Sequence, residues 1–467
     1  MITVGARNAG EDTMNRNIFR EYDIRGIFNE DLTRRTVTTL GRAIGTHLAA
    51  RGMRQTSLGR DCRLSSDDLL AWLTEGLLST GVDVVDIGMT PTPVLYFSVH
   101  HFGLPAGVMI TGSHNPPEYN GFKVQVGDLA LHGDEIQEIR RIAERGDFSR
   151  GEGHVLTRDA TTPYREFILG DIKPGPRRVG FAVDCGNGTA GVVAPRIMKE
   201  LGFEPVELFC EPDGRFPNHH PDPTVPAYLV DLIRTVREKG LEIGIAYDGD
   251  ADRLGAVDAG GNILWGDRLL IIFSRAILKE HPGASILGEV KCSQVLYDDI
   301  KAHGGVPIMW KTGHSLIKAK IKESGALIGG EMSGHMFFRH RYFGFDDAIY
   351  ASLRLLELLS REEGGLAALT AGIPDVSVTP EIRVDCPDDR KFEIVKLLQE
   401  EFKKRKDVSV IDIDGARVHY ASGWGLVRAS NTQPVLVMRF EADTQENLAR
   451  IRQDMETALE AAKSRLK

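Results

Sequence analysis

Asp248, Asp250 and Asp252 occupy alternate positions in Asp248-Gly249-Asp250-Ala251-Asp252-Arg253, with only small residues between the acids. Like charges this close repel unless a cation joins them, so the spacing outlines a hard-cation site; the plain alternative is a solvated acidic loop. An EF-hand also opens with alternating acids, but here Arg253 stands at the sixth position, which requires glycine, and Ala259 at the twelfth, which requires a bidentate glutamate. Mg²⁺ usually takes a few carboxylates and a phosphate oxygen, which leaves coordination room for a phosphorylated side chain. Ser113, in Thr111-Gly112-Ser113-His114-Asn115-Pro116, is the candidate. Taken singly it is a serine in a tight turn. Beside a cation site it reads as a phosphate carrier.

A phosphate carrier also needs donors for the transferring oxygens and a group that moves protons on and off the accepting hydroxyl. The basic candidates, read as lying on nearby loops, are Arg20, Lys123, Arg253 and His314. In Gly330-Glu331-Met332-Ser333-Gly334-His335 a carboxylate and a hydroxyl two residues apart point the same way along an extended loop. They can grip two neighbouring hydroxyls, or simply form a turn with a helix cap. Arg428-Ala429-Ser430-Asn431-Thr432 places a guanidinium, two hydroxyls and an amide before a strand, the makings of a charge-assisted phosphate cradle. His219-His220 has no third ligand in register and is not read as a metal site.

The elements that must position these residues alternate in type. Ala106–Ile110 and Ile243–Tyr247 are short apolar runs followed by turn clusters, hence buried strands, and ligands collect at the C-terminal ends of such strands. Ser65 is expected to cap a helix carrying Leu69, Leu70, Leu73 and Leu77. Val82–Ile87 is expected as a strand, and Gly88–Pro93 as a loop that continues neither element. Arg145 to Thr157 reads as a linker. Three strands and two helices between Val179 and Tyr247 predict a parallel sheet with right-handed crossovers. The pattern recurs from Leu269 to Ile328. From about residue 375 it gives way to scattered strands and a last helix, with Thr444 as N-cap and Leu448, Ile451, Met455 and Leu459 as a core stripe.

The chain of 467 residues is long enough for three or four domains. A net charge of −9 argues against a nucleic-acid-binding protein. Five scattered cysteines fit a reducing cytoplasm without structural zinc. No apolar stretch approaches the ~20 residues that span a bilayer, so no membrane association is expected. Met1 to Thr13 lacks the apolar core of a signal peptide and reads as a disordered extension or a misassigned start ahead of Met14.

Together these motifs, from Asn17-Ile18-Phe19-Arg20-Glu21-Tyr22-Asp23-Ile24-Arg25-Gly26 to Arg428-Ala429-Ser430-Asn431-Thr432-Gln433-Pro434, resemble the α-D-phosphohexomutases, within them the bacterial phosphomannomutase/phosphoglucomutase branch. The resemblance implies three similar α/β domains (1–157, 158–260, 261–373) and a smaller TATA-box-binding-protein-like α+β domain (374–467) around one cleft. It implies Mg²⁺ on Asp248, Asp250 and Asp252 with the Ser113 phosphate as further ligand, and Arg20, Lys123 and His114 as catalytic neighbours. The sugar and its phosphate fall to Tyr22, Arg253, Lys291, His314, Glu331, Ser333 and His335. Arg428, Ser430, Asn431 and Thr432 take the phosphate that is not transferred. The activity implied is interconversion of mannose and glucose 1-phosphates with their 6-phosphates, with glucose 1,6-bisphosphate as activator, in a cytoplasmic monomer or weak homodimer. A phosphoglucosamine mutase ranks second, because that branch usually has Gln where Met332 stands. An aspartate-dependent sugar phosphatase ranks behind it.

Overall fold

A computed structural model of the chain describes residues 14–431 and 433–466. The expectation for Met1 to Thr13 therefore lies outside the described residues. Three mixed α/β units are followed by an antiparallel unit. The first sheet runs Ile24–Ile27, Tyr119–Val126, Ala106–Ile110, Gln55–Arg60, Asp83–Met89, Val155–Thr157. Its middle strands are parallel, and Tyr119–Val126 pairs antiparallel with Ala106–Ile110. In the second sheet Ile243–Tyr247 lies parallel to Phe181–Asp184 and antiparallel to Leu254–Asp258. In the third, Ile328–Gly330 lies parallel to Ser285–Glu289 and antiparallel to Met336–Phe338. Every residue of Ala106–Ile110 and of Ile243–Tyr247 is buried, as unbroken apolar runs in central strands require.

One geometric rule recurs in all three units. A strand parallel to its inner neighbour ends, a loop follows, and the chain returns as an antiparallel strand. Those loops hold Ser113, the three aspartates, and Glu331 with Ser333. In the last unit the hairpin between Gly423–Ala429 and Val435–Ala442 holds Ser430 and Asn431. This sheet is antiparallel throughout and is backed by the helices Lys391–Lys403 and Gln445–Arg465.

Several local expectations change. Val155–Thr157 is an edge strand on the first sheet, parallel to Asp83–Met89, because three extended residues suffice to extend an open edge. The Pro-containing segment after Asp83–Met89 begins the helix Thr92–His101, with Pro93 in its first turn, where a missing N–H costs nothing. Ser65 precedes the helix Ser66–Leu78 without capping it; its hydroxyl accepts from Asn120 instead. Lys123 is in the strand Tyr119–Val126, not a loop. Thr444 does cap the last helix, accepting from the Asn447 N–H, and Leu448, Ile451, Met455 and Leu459 are buried.

The first three units share a continuous apolar core that reaches from Phe97 through Tyr164 and Tyr247 to Leu356, whereas the last unit has its own. Its contact with the third unit combines a small apolar cluster, Trp424 and Leu426 against Val290, with polar ties. The buried Arg417 donates to the carbonyls of Val290 and Cys292, and Arg439 to that of Lys291.

Asp347 ties the helix Thr161–Asp171 to the third unit. It caps the helix Ala348–Arg361 through the Tyr350 N–H and accepts from the hydroxyls of Tyr164 and Tyr342. Burial outweighs these hydrogen bonds and pushes its carboxyl up to about 6. A value raised in the folded state means stability present below the unfolded value, near 4, and lost as pH rises through the folded one. The stability of the native chain minus that of Asp347→Asn should therefore fall by up to about 3 kcal/mol between pH 4 and 7, read from unfolding curves of both proteins. A difference that does not move with pH would count against it.

Candidate active site

The Ser113 loop and the aspartate loop meet directly. Ser113 Oγ donates to Asp248 Oδ2 at 2.8 Å and lies 3.0 Å from His114 Nδ1. The other oxygen of Asp248 accepts the N–H groups of Asp252 and Arg253, both at 3.1 Å. One face of this carboxylate is thus fixed by its own loop and the other is presented to the serine. Asp250 Oδ2 accepts from Thr92 Oγ1 at 2.5 Å and Lys123 Nζ at 2.7 Å; the same ammonium reaches Asp252 Oδ2 at 2.5 Å.

All three aspartates are fully buried, with ligand oxygens within 4.8 Å of one another. Asp250 Oδ1 and Asp252 Oδ1 have no hydrogen-bond partner among the described residues. Burial, then Asp252 and Asp250, hold the Asp248 carboxyl well above its ordinary value. Burial alone would lower Lys123, but Asp250 and Asp252 outweigh it and keep the ammonium well above its usual range. One ammonium facing several buried carboxylates, two of them with unpartnered oxygens, is a donor set that a divalent cation fits. Ala251 sits among them at φ +61°, a left-handed conformation that costs an L-residue about 1–2 kcal/mol.

The third loop closes over this pair. Glu331 accepts the Gly313 N–H at 2.7 Å through one oxygen and the Ser333 hydroxyl at 3.0 Å through the other, so the two groups converge as their spacing predicts. His335 Nε2 accepts from Arg253 Nε at 3.0 Å, while its Nδ1 lies 3.1 Å from Asp346 Oδ2. The His314 ring stacks 5.9 Å from that of His335, and burial holds it well below the usual histidine range. Lys291 Nζ reaches Glu381 at 3.1 Å and Glu289 at 3.5 Å.

The last unit joins through Tyr22, whose hydroxyl donates to Thr312 O at 2.9 Å and accepts from Asn431 Nδ2 at 2.7 Å. Arg428 Nε donates to Asp414 at 3.0 Å, and the Ser430 hydroxyl accepts the Gln433 N–H. Thr432 lies outside the described residues. Arg20 is half-buried, and no hydrogen bond or ion pair ties its side chain to Ser113 among the described residues. His219 bonds Asp184 and the carbonyl of its neighbour His220, a structural pairing.

Residue-type reasoning passed over Asp61, Arg63, Thr92, Glu289, Asp346 and Asp414. The signal for the first two was available: Asp61-Cys62-Arg63 follows the strand Gln55–Arg60, the parallel neighbour of Ala106–Ile110, at the same sheet end as Ser113.

Return loops that bring one serine against three buried carboxylates, with Glu331 and Ser333 beside them, suit a phosphoryl-transfer class of site. Family models agree along the chain: phosphoglucomutase/phosphomannomutase alpha/beta/alpha domain I over residues 16–150, domain II over 164–261, domain III over 265–376, and the C-terminal domain over 381–458. The chain belongs to the phosphoglucomutase/phosphomannomutase family of enzymes. A phosphomannomutase/phosphoglucomutase of Pseudomonas aeruginosa is 47% identical over 455 residues, 97% of this chain and 98% of that protein. A phosphoglucomutase of Neisseria gonorrhoeae is 44% identical over 452 residues, 96% of this chain and 98% of that protein. The crystal structure of a family protein from Burkholderia thailandensis superposes with a TM-score of 0.91 at 44% identity, covering 97% of this chain and 98% of that one.

Proposed function

We propose that the protein interconverts the 1-phosphates and 6-phosphates of mannose and glucose through a phosphorylated Ser113 and a hexose 1,6-bisphosphate. The observation that carries this reading is the hydrogen bond from Ser113 to Asp248, 135 residues away in sequence, inside a buried carboxylate cluster. In an aspartate-nucleophile phosphatase Ser113 would be dispensable and inorganic phosphate would be released.

Mg²⁺ would be held by Asp248, Asp250 and Asp252 with a Ser113 oxygen; when bound it supplies positive charge beside the phosphoryl oxygens. In the first transfer the Ser113 Oγ–P bond breaks and the O–P bond to the free sugar hydroxyl forms. The proton that the sugar hydroxyl loses balances the one that Ser113 Oγ regains, so the transfer needs no net proton, and Lys123 supplies positive charge beside the exchange. The bisphosphate then turns over in the cleft, and Ser113 takes back the other phosphoryl group. Glu331 and Ser333 grip hydroxyls O3 and O4, which glucose and mannose share, while Arg428, Ser430, Asn431 and Thr432 hold the resident phosphate. The division of the chain near residues 157, 260 and 373 goes with this reading, since each unit then supplies one loop. All four loops come from one chain, which fits a monomer or weak homodimer. Five free cysteines fit the cytoplasm.

The test is a coupled mutase assay with Mg²⁺ and a trace of glucose 1,6-bisphosphate, comparing glucose, mannose and glucosamine 1-phosphates. Similar turnover of the first two with little of the third is expected. Preference for the glucosamine compound would move the protein to the neighbouring branch, and release of inorganic phosphate without isomerisation would overturn the mechanism.

A further inference from the structure

Arg63 has a side chain with no exposed surface, and its guanidinium points at a single loop. Nη1 donates to the carbonyls of Pro116 at 2.5 Å and Tyr119 at 3.0 Å. Nη2 donates to those of Ser113 at 2.9 Å and Asn115 at 2.6 Å. Nε lies 3.2 Å from Asp61 Oδ2, which itself accepts the Gly112 N–H at 3.1 Å. The other oxygen of Asp61 takes the Arg63 N–H and the Ser66 hydroxyl, so the clamp is braced from behind. On its far side the Phe216 ring lies 5.1 Å from the guanidinium carbon.

The loop held in this way is strained. Ser113 has φ +49°, in the left-handed region, and a conformation of that kind persists only where its surroundings over-determine it. Between them Asp61 and Arg63 fix the N–H of Gly112 and four carbonyls, including that of Ser113. A side chain on residue 112 would come within 2.5 Å of the Arg63 guanidinium, so the approach requires glycine there. Only a planar fork with five N–H donors can reach several carbonyls at once; an ammonium offers its donors from a single point.

We propose that Arg63 is a positioning residue for phosphoryl transfer: by pinning the carbonyl of Ser113 it aims Ser113 Oγ at Asp248 and at the incoming phosphoryl group. Arg63 touches no substrate, and the proposal rests on Ser113 being the phosphate carrier. A misaligned nucleophile costs transition-state stabilisation without weakening ground-state binding, so the loss should fall on kcat alone.

The experiment compares the full-length native chain with Arg63→Lys and Gly112→Ala. It measures kcat and KM for glucose 1-phosphate, the thermal midpoint, and Ser113 phosphorylation by mass spectrometry after incubation with glucose 1,6-bisphosphate. Arg63→Lys should lose about 100-fold in kcat, the scale of a 1 Å misplacement, with KM and the folded fraction near native and slower phosphorylation of Ser113. Should Arg63→Lys not fold, Gly112→Ala, which pushes on the guanidinium from the other side, should show the same kcat-only loss. Native kcat in whichever of these variants folds, or a loss in kcat matched by loss of folded protein, would overturn the proposal. If the native chain turns over without phosphate on Ser113, the carrier reading itself fails and takes the proposal with it.

Discussion

Ser113→Ala should lose roughly 10⁴-fold or more in turnover, the scale of removing a nucleophile, and still bind hexose phosphate close to native strength. The binding groups of the third and fourth loops make no contact with the serine hydroxyl: Glu331 is held by Gly313 and Ser333, and Arg428 by Asp414. What the variant lacks is the oxygen that carries phosphate between half-reactions. Calorimetric titration with glucose 1-phosphate, paired with the mutase assay, separates the two effects. Turnover within tenfold of native would show that the phosphoryl group travels by another residue. Weakened binding in step with lost turnover would show that the serine serves the ground state.

Asp248→Asn should move activity and stability in opposite directions. The substitution keeps the shape of a side chain whose Oδ1 accepts two loop N–H groups and whose Oδ2 faces Ser113. It removes a carboxyl whose ionisation is opposed by burial, Asp252 and Asp250. Without added cation the variant should therefore melt higher than the native chain. A ligand that binds only the folded state raises the melting point by mass action, so Mg²⁺ should stabilise the native chain more than the variant. Turnover should fall about 10²–10³-fold, the usual scale for removing one electrostatic contributor to a transition state. Scanning calorimetry with and without Mg²⁺ checks the stability arm. An equal Mg²⁺-induced rise in both proteins would place the cation elsewhere.

Much of this arrangement was legible in the chain because local chemistry carries it. Ala106–Ile110 and Ile243–Tyr247 are apolar at every position or nearly so, and such runs have few ways to satisfy their backbones except as central strands. The acids at 248, 250 and 252 have one sensible use if buried. The Thr444 cap and its apolar stripe lie within one helix. Less legible were the antiparallel return strands, Tyr119–Val126, Leu254–Asp258 and Met336–Phe338. The first contains Asn120, Gly121, Lys123 and Gln125, all buried, and so hides the alternation that marks a strand. Lys123 read as a loop residue for that reason.

By itself the sequence determined the alternation of strand and helix, the class of site through Ser113 and the triple aspartate, and the family. Those are properties of residue type and short spacing, which propensity, polarity and turn chemistry express locally. Tertiary structure alone decided that Ser113 meets Asp248, that Lys123 bridges Asp250 and Asp252, that Tyr22 joins Thr312 to Asn431, and that Arg63 holds the serine loop. Each of these joins residues far apart in the chain, and their hydrogen bonds depend on angles and separations that arise only when the sheets pack. A lysine is a surface charge or a clamp according to what is brought against it, and that is settled by the fold.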